Sequence, residues 1–343
     1  MDPDPLRRLS DPERAQLRAW DLAAAGPELP ASKNRTVLCV SPAGGRAMVK
    51  LATGYGQRGV VHEGLILDAL EPIARPPLRI PRCTGFSPDL GMLALEWIDG
   101  ATTAYDHHRT TRQYDPDLAN RLGRALGALH ARTHADPARF VPQDDSARAD
   151  LLESLLRPRP AFYARQPRAA LHLISRLQHD DAAMRSLQSL SDVQQDSPAG
   201  CLLHGDCKQG NVLLAGGDPV LIDWELALWG DGARDLGWLA ADYATGWLAP
   251  QNEAEVLPQQ DLQRFLGALL HSYALERGSA YPVPLDLSAR VVRWCGLALV
   301  VMAYAEAHLL RTLEDRGKQL ADFGQYLLAE PDGWRSKLFG GGP

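Results

Sequence analysis

Paired cysteines are the first thing these 343 residues lack. Cys39, Cys83, Cys201, Cys207 and Cys295 are odd in number and show no CxxC spacing. Nothing in that pattern encodes a disulfide framework or a zinc ribbon, and it favours reduced thiols in a cytoplasm. A basic block is missing as well. The formal charge is −6, which argues against a general nucleic-acid or membrane-surface role. It permits a cationic substrate without demonstrating one. No apolar run follows Arg7-Arg8, so no signal peptide is expected. The most apolar window, Trp294 to Ala305, stops at Glu306, too short for a bilayer, and reads as a buried helix. Internal repeats and low-complexity tracts are absent.

What is there is ordinary globular material, 45% apolar and 23% charged. The length fits one two-lobed unit or two domains. Ser10-Asp11-Pro12-Glu13 starts a helix with a capping side chain, a first-turn proline and an acid, and the helix should run to about Ala25. Thr36 to Val40 and Ala47 to Leu51 read as strands about a Pro42-Ala43-Gly44-Gly45 turn. Val61 to Leu70 reads as a short helix containing Glu63, and Leu93 to Ile98 as a further strand closed by Asp99-Gly100. Strand, strand, helix, strand is the order of a small sheet lobe.

From Leu118 the period changes. Leu118, Leu122, Leu126 and Leu129 give one apolar helical face through about His134. Residues 136–200 are polar and uneven, with helices expected near 147–156, 161–178 and 181–190. Beyond Trp238 the chain should be mostly helical, over roughly 259–277, 286–313 and 316–329, before a disordered Gly340–Pro343 tail.

The chemistry concentrates in His204-Gly205-Asp206-Cys207-Lys208-Gln209-Gly210-Asn211 and the Ile222-Asp223-Trp224-Glu225 that follows. Asp206 is placed to accept a proton from an attacking hydroxyl. Asn211 and Asp223 offer hard oxygens, the kind that bind Mg²⁺ together with nucleotide phosphates. Between them, Val212-Leu213-Leu214 and Pro219 to Ile222 read as a hairpin about Ala215-Gly216-Gly217-Asp218, which would set Asn211 and Asp223 side by side. Phosphoryl transfer needs little beyond such positioning and charge neutralisation.

These segments resemble the catalytic core of the aminoglycoside phosphotransferase and choline kinase group. His204-Gly205-Asp206 through Asn211 matches that family's catalytic loop, Ile222-Asp223-Trp224-Glu225 its metal-binding segment, and Gly230-Asp231-Gly232-Ala233-Arg234-Asp235-Leu236 the Gly-Asp-x3-Asp-Leu stretch after it. The resemblance runs from about Arg35 to Leu310. It implies an α+β, two-lobed protein-kinase-like fold: a small antiparallel-sheet N-lobe over residues 1–100 and a larger helical C-lobe over 101–338, whose insert 136–200 meets the acceptor. It implies ATP, with GTP not excluded, and Mg²⁺. Asp206 would be the base, Asn211 and Asp223 the metal ligands, and Asp235 the buttress of the loop.

The resemblance also implies that Lys50 contacts nucleotide phosphates and is oriented by Glu63, where the residues alone read as a surface lysine beside a solvated glutamate. Glu96-Trp97-Ile98 would be the hinge that reads adenine through backbone groups, with the Trp97 ring packing in a cleft wall. One departure is plain: no GxGxxG precedes the lysine strand. Pro30-Ala31-Ser32-Lys33-Asn34 stands in its place, so Ser32 and Asn34 with nearby amides would serve the phosphates. Lys208 stays open between a γ-phosphate contact and a solvated loop residue. His204 reads as loop support, Cys207 as filler, and Glu225 and Asp231 as groups behind the ligands. His107-His108 and His130/His134 lack a carboxylate motif and read as packing or exposed residues. Asp144, Asp145, Asp150, Glu153, Asp242 and Glu253 could receive a polycation or form a solvated face.

Three functional readings follow. The first is a kinase for a small-molecule hydroxyl. The second is a kinase for Ser/Thr of a precursor peptide, such as occurs in lanthipeptide-like or thioamitide-like biosynthesis. The third is an inactive kinase-like binding module, which would normally have lost one of Lys50, Asp206, Asn211 or Asp223.

Overall fold

The computed structural model describes residues 9–29, 34–134, 136–140, 151–195, 200–250, 258–278 and 283–340. The fold is α+β and divides into two compact units: Met1–Thr102 with Leu213–Ala227, and Thr103–Val212 with Leu228–Pro343.

The first unit opens with α1 (Asp11–Ala19), held by the expected capping box between Ser10 and Glu13. The helix stops well before Ala25. Asp21 adopts φ 55°, and the amides of Asp21 and Leu22 turn back onto the carbonyls of Arg18 and Leu17. That is a Schellman stop with Asp in the position usually given to glycine. The alanine run expected as helix is instead the edge strand β1 (Ala23–Leu29), where Gly26-Pro27 falls at a register shift.

A five-stranded antiparallel sheet follows in the order β1, β2 (Arg35–Val40), β3 (Arg46–Leu51), β5 (Met92–Glu96), β4 (Cys83–Ser87). Strand β4 is not foreshadowed by any alternation in Cys83-Thr84-Gly85-Phe86-Ser87; it is held by pairing with β5. Val37 and Cys39, Val49 and Leu51, and Met92 and Ala94 share one sheet face and build a core with Leu9 and Leu17. Burying each such aliphatic side chain is worth about 1.5–3 kcal/mol. Strand parity turns Lys50 to the other face, the one covered by α2 (Gln57–Leu70). The helix sits close there because Gly64 lies against the Phe86 ring; a Cβ would fall 2.4 Å from that ring.

The expected boundary at residue 100 misses one element. The hairpin carried by Leu213–Ala227 belongs to the first unit. Its return strand bonds the Arg79 main chain (Leu221 N to Arg79 O, 3.0 Å), and the Arg79 side chain donates to the Asp218 carbonyl at 3.2 Å. Gly216 and Gly217 supply the positive φ angles of its turn.

The second unit is mainly helical. Helix α3 (Ala104–Thr111) leads into α4 (Pro116–Arg132), on which Leu118, Leu122, Leu126 and Leu129 are fully buried. The segment expected as one helix over 161–178 is broken into Pro160–Tyr163 and Arg168–Gln178, because Pro167 caps the second piece. A short pair, Cys201–Leu203 with Leu228–Gly230, brackets the motif region. The Leu285–Leu310 helix is long and apolar enough to cross a membrane by length and composition. However, 72% of its apolar window is buried inside the protein, around Trp294, Leu297 and Leu299. A last helix, Pro331–Phe339, was not expected from the sequence.

Candidate active site

In the first unit, Lys50 is almost fully buried and its Nζ lies 2.7 Å from Glu63 Oε2 and 2.6 Å from Asp223 Oδ1. Burial opposes the ammonium charge, but Glu63 and Asp223 outweigh it and hold Lys50 above its ordinary value. Glu63 is wholly buried, and its second oxygen accepts the Trp224 amide at 3.3 Å. Asp223 sits at φ 68°, a left-handed conformation that Asp tolerates better than most residues. The fully buried Trp224 beside it donates its indole N–H to the Leu221 carbonyl, so the turn after the hairpin is fixed from inside. The lysine, the helix glutamate and the hairpin aspartate thus form one ion cluster.

That cluster makes a stability prediction. Desolvation pushes the Glu63 carboxyl up, and Lys50 works against this. In Lys50→Met the buried carboxyl keeps only the Trp224 amide, and removing one partner of a buried pair costs about 3–5 kcal/mol. A raised folded-state value favours the folded protein below the unfolded carboxylate range and loses that contribution as pH rises through it. Thermal melts should therefore show the variant far below the parent at neutral pH, with the gap narrowing on acidification. A constant gap across pH would mean that Glu63 stays charged without its lysine.

The second unit holds the motif loop. Gly205 takes φ 80°, a turn a side chain would strain. Asp235, 1% exposed, accepts the His204 amide at 2.7 Å and the Gly205 amide at 3.0 Å. Burial works against its charge, yet His130 and these amides hold its carboxyl below the usual range. His130 lies 3.2 Å from Asp235 and 3.0 Å from the Tyr273 hydroxyl, so this histidine of α4 supports the loop rather than a metal. The His204 ring accepts the Asp206 amide at 3.3 Å.

Asp206 is thereby presented with its side chain about one-fifth exposed, whereas Cys207 turns inward. Burial holds the Cys207 thiol well above its ordinary value, which disfavours the thiolate a nucleophile needs. Lys208 Nζ lies 2.7 Å from Asp206 Oδ2, and Asn211 Nδ2 donates to the same oxygen and to the Asp206 carbonyl, both at 2.9 Å. With its NH₂ spent in this way, Asn211 keeps its amide oxygen as a donor atom for a hard cation. In the first unit, the Asp223 carboxylate is one-third exposed. An amide oxygen and a carboxylate are donor types Mg²⁺ takes, so each residue by itself suits that ion.

Other expected residues are placed differently. Asn34 donates its amide to Glu225 Oε2 at 3.3 Å, beside the start of α2, so that side chain does not stand open to a phosphate. Ser32 lies outside the described residues, as do Asp144, Asp145, Asp150 and Glu253. Glu153 pairs with Arg157 on an exposed helical turn. Strand β5 ends at Glu96; the Glu96 amide is taken by the Arg82 carbonyl and the Trp97 amide by the Arg46 carbonyl. The Trp97 ring lies 5.8 Å from the Arg46 guanidinium. His108 is buried among Tyr114, Tyr243 and Phe265. Burial lowers its pKa to about 4. Asp231 anchors the following helix, accepting the Ala233 amide, Arg290 Nε and the Trp294 indole N–H. Asp242 is the residue whose contact the sequence hid: it accepts the Gln209 amide at 2.8 Å.

Comparison with solved structures places the chain in the protein-kinase-like fold. The amicoumacin kinase hAmiN, in complex with AMP-PNP, Ca²⁺ and Ami, is 16% identical over 95% of both chains, with a TM-score of 0.60. A choline/ethanolamine kinase family protein from Mesorhizobium loti is 16% identical over 93% of this chain and 94% of its own, with a TM-score of 0.56. The macrolide 2'-phosphotransferase MphH from Brachybacterium faecium is 14% identical over 92% and 98%, with a TM-score of 0.55. Identities this low speak for the fold and not for the acceptor. No curated protein matches the sequence. The model of the phosphotransferase enzyme family (APH) matches residues 28–256, well over half of the chain, which therefore belongs to that family.

Proposed function

We propose that the protein is a kinase that moves the γ-phosphoryl group of ATP to a hydroxyl of a small molecule. The observation that carries this reading is Asp206, a partly exposed carboxylate whose Oδ2 is fixed by Lys208 and Asn211. An acceptor hydroxyl oxygen bonds to the γ-phosphorus as the bond to the β,γ-bridging oxygen breaks. Asp206 orients the hydroxyl and takes its proton, and ADP leaves. Lys208 and Asn211 both donate to Oδ2, so they fix how the carboxylate faces an acceptor. Lys208, on the same carboxylate, is placed to offset charge on the transferring group.

Lys50, oriented by Glu63, would contact the nucleotide phosphates, and Asn211 and Asp223 would hold the divalent cation. When bound, that ion neutralises the charge of the phosphate oxygens. Of the three hinge residues, the amides of Glu96 and Trp97 are used within the sheet, which leaves Ile98 N–H as the donor for an adenine edge. The five free thiols, four of them buried, fit a reducing compartment such as the cytoplasm.

The test is ADP formation from Mg²⁺-ATP, and in a parallel arm Mg²⁺-GTP, with a panel of amino alcohols, sugars, aminoglycosides and macrolides. Mass spectrometry follows the acceptor. One small molecule should accelerate ADP release and gain a single phosphoryl group. A peptide gaining it instead would move the acceptor class. Absence of both nucleotide binding by calorimetry and ADP formation under every condition would overturn the kinase reading.

A further inference from the structure

The motif loop is held by more than its own residues. Asp235 and Asp242 lie on one helix, Ala233–Leu248. Seven residues apart, they differ by about 20° around the axis and stand about 10.5 Å apart along it. Asp235 takes the amides of His204 and Gly205 at the start of the loop, and Asp242 Oδ2 takes the Gln209 amide near its end, at 2.8 Å. Between these two holds lie Asp206 and Lys208, and just past the second lies Asn211. Gln209 and Asn211 are both buried, and the Asn211 amide closes a turn onto the Lys208 carbonyl at 2.9 Å. The separation of Asp206 from Asn211 is thus set by where Gln209 is held.

We infer that Asp242 is a positioning residue for phosphoryl transfer: by gripping the Gln209 main chain it fixes Asp206 against Asn211. An acidic contact for a cationic acceptor, the role the sequence offered for Asp242, is not needed to explain it. The surroundings support this. Burial works against the Asp242 carboxylate, and the Gln209 amide is the leading group that stabilises it, so the charge and the amide depend on each other. Gln209 itself opens a 3₁₀ turn, and Lys208 before it is extended (φ −148°, ψ 162°). Proline suits such a first helical position, and an extended residue before it is compatible, so Gln209→Pro removes the donor while keeping the backbone path.

The experiment reads two quantities on the full chain: turnover of Mg²⁺-ATP with water as acceptor, and hydrogen exchange over residues 204–211. In Asp242→Ala, turnover should fall by about tenfold or more, the worth of a hydrogen bond to a charged group. Nucleotide affinity should hold, and exchange should rise in the loop alone. Asp242→Asn should recover part of the loss, since its amide oxygen still accepts. In the Gln209→Pro background, Asp242→Ala should add nothing, because both changes remove the same Gln209–Asp242 contact. Parental turnover and exchange in Asp242→Ala would overturn the inference, as would losses that multiply in the double variant or an exchange increase spread over the whole chain. The kinetic arm rests on the kinase reading, which the acceptor panel above tests separately. The exchange arm would still decide whether Asp242 holds the loop.

Discussion

Asp206→Ala should lower turnover by about a thousandfold while leaving nucleotide affinity nearly unchanged, within the range of a positioned base or orienting group. The structure explains why the two effects separate. Asp206 shares its carboxylate with Lys208 and Asn211, and the amides that position the loop come from His204, Gly205 and Gln209, so its main chain stays fixed when the side chain is cut. Lys50 and Glu63 lie in the other unit and keep their bond. Single-turnover kinetics with isothermal calorimetry would measure both. If the alanine variant turned over at the parental rate, Asp206 would have no part in the transfer. Asp206→Asn is the useful companion, because it keeps an acceptor oxygen but not the charge that Lys208 and Asn211 meet.

Asp223→Asn should abolish the gain in nucleotide affinity that Mg²⁺ brings and cut turnover by about a hundredfold. Asparagine is the better probe than alanine here, since Asp223 sits at φ 68° and Asn tolerates that region where alanine would add strain. The change also removes one of the two acids that hold Lys50. Two signatures should then appear together: calorimetric titrations with and without Mg²⁺ should coincide, and the lysine should remain paired to Glu63 alone. If Mg²⁺ still tightened binding as in the parent, the metal would be held elsewhere.

How much of this could be read from the chain? The meeting of Asp206 with Asn211 was legible because the two stand five residues apart in one tight loop. The pairing of Lys50 with Glu63 was legible only through the family resemblance, since the residues alone read as surface groups, and the buried ion pair has the form that resemblance implied. The role of Asp242 was not legible. Its contact with Gln209 spans 33 residues and depends on helix register, so the acid looked like any surface carboxylate. Strand β1 was hidden for another reason. Ala23-Ala24-Ala25 favours helix locally, and only the reversal at Asp21 and pairing with β2 override it. Strand β4 depended in the same way on β5. Helices with unbroken apolar periodicity, α4 above all, were read nearly to the residue because burial and period agree along their length.

The membership of the Leu213–Ala227 hairpin has a practical consequence for anyone dividing the gene. A fragment ending at Thr102 would encode the whole five-stranded sheet yet omit a carboxylate that neutralises Lys50 and the amide that answers the Arg79 carbonyl. Such a truncated product should need the missing peptide supplied in trans, and rescue by a synthetic hairpin spanning those fifteen or so residues would turn an internal packing arrangement into a complementation assay.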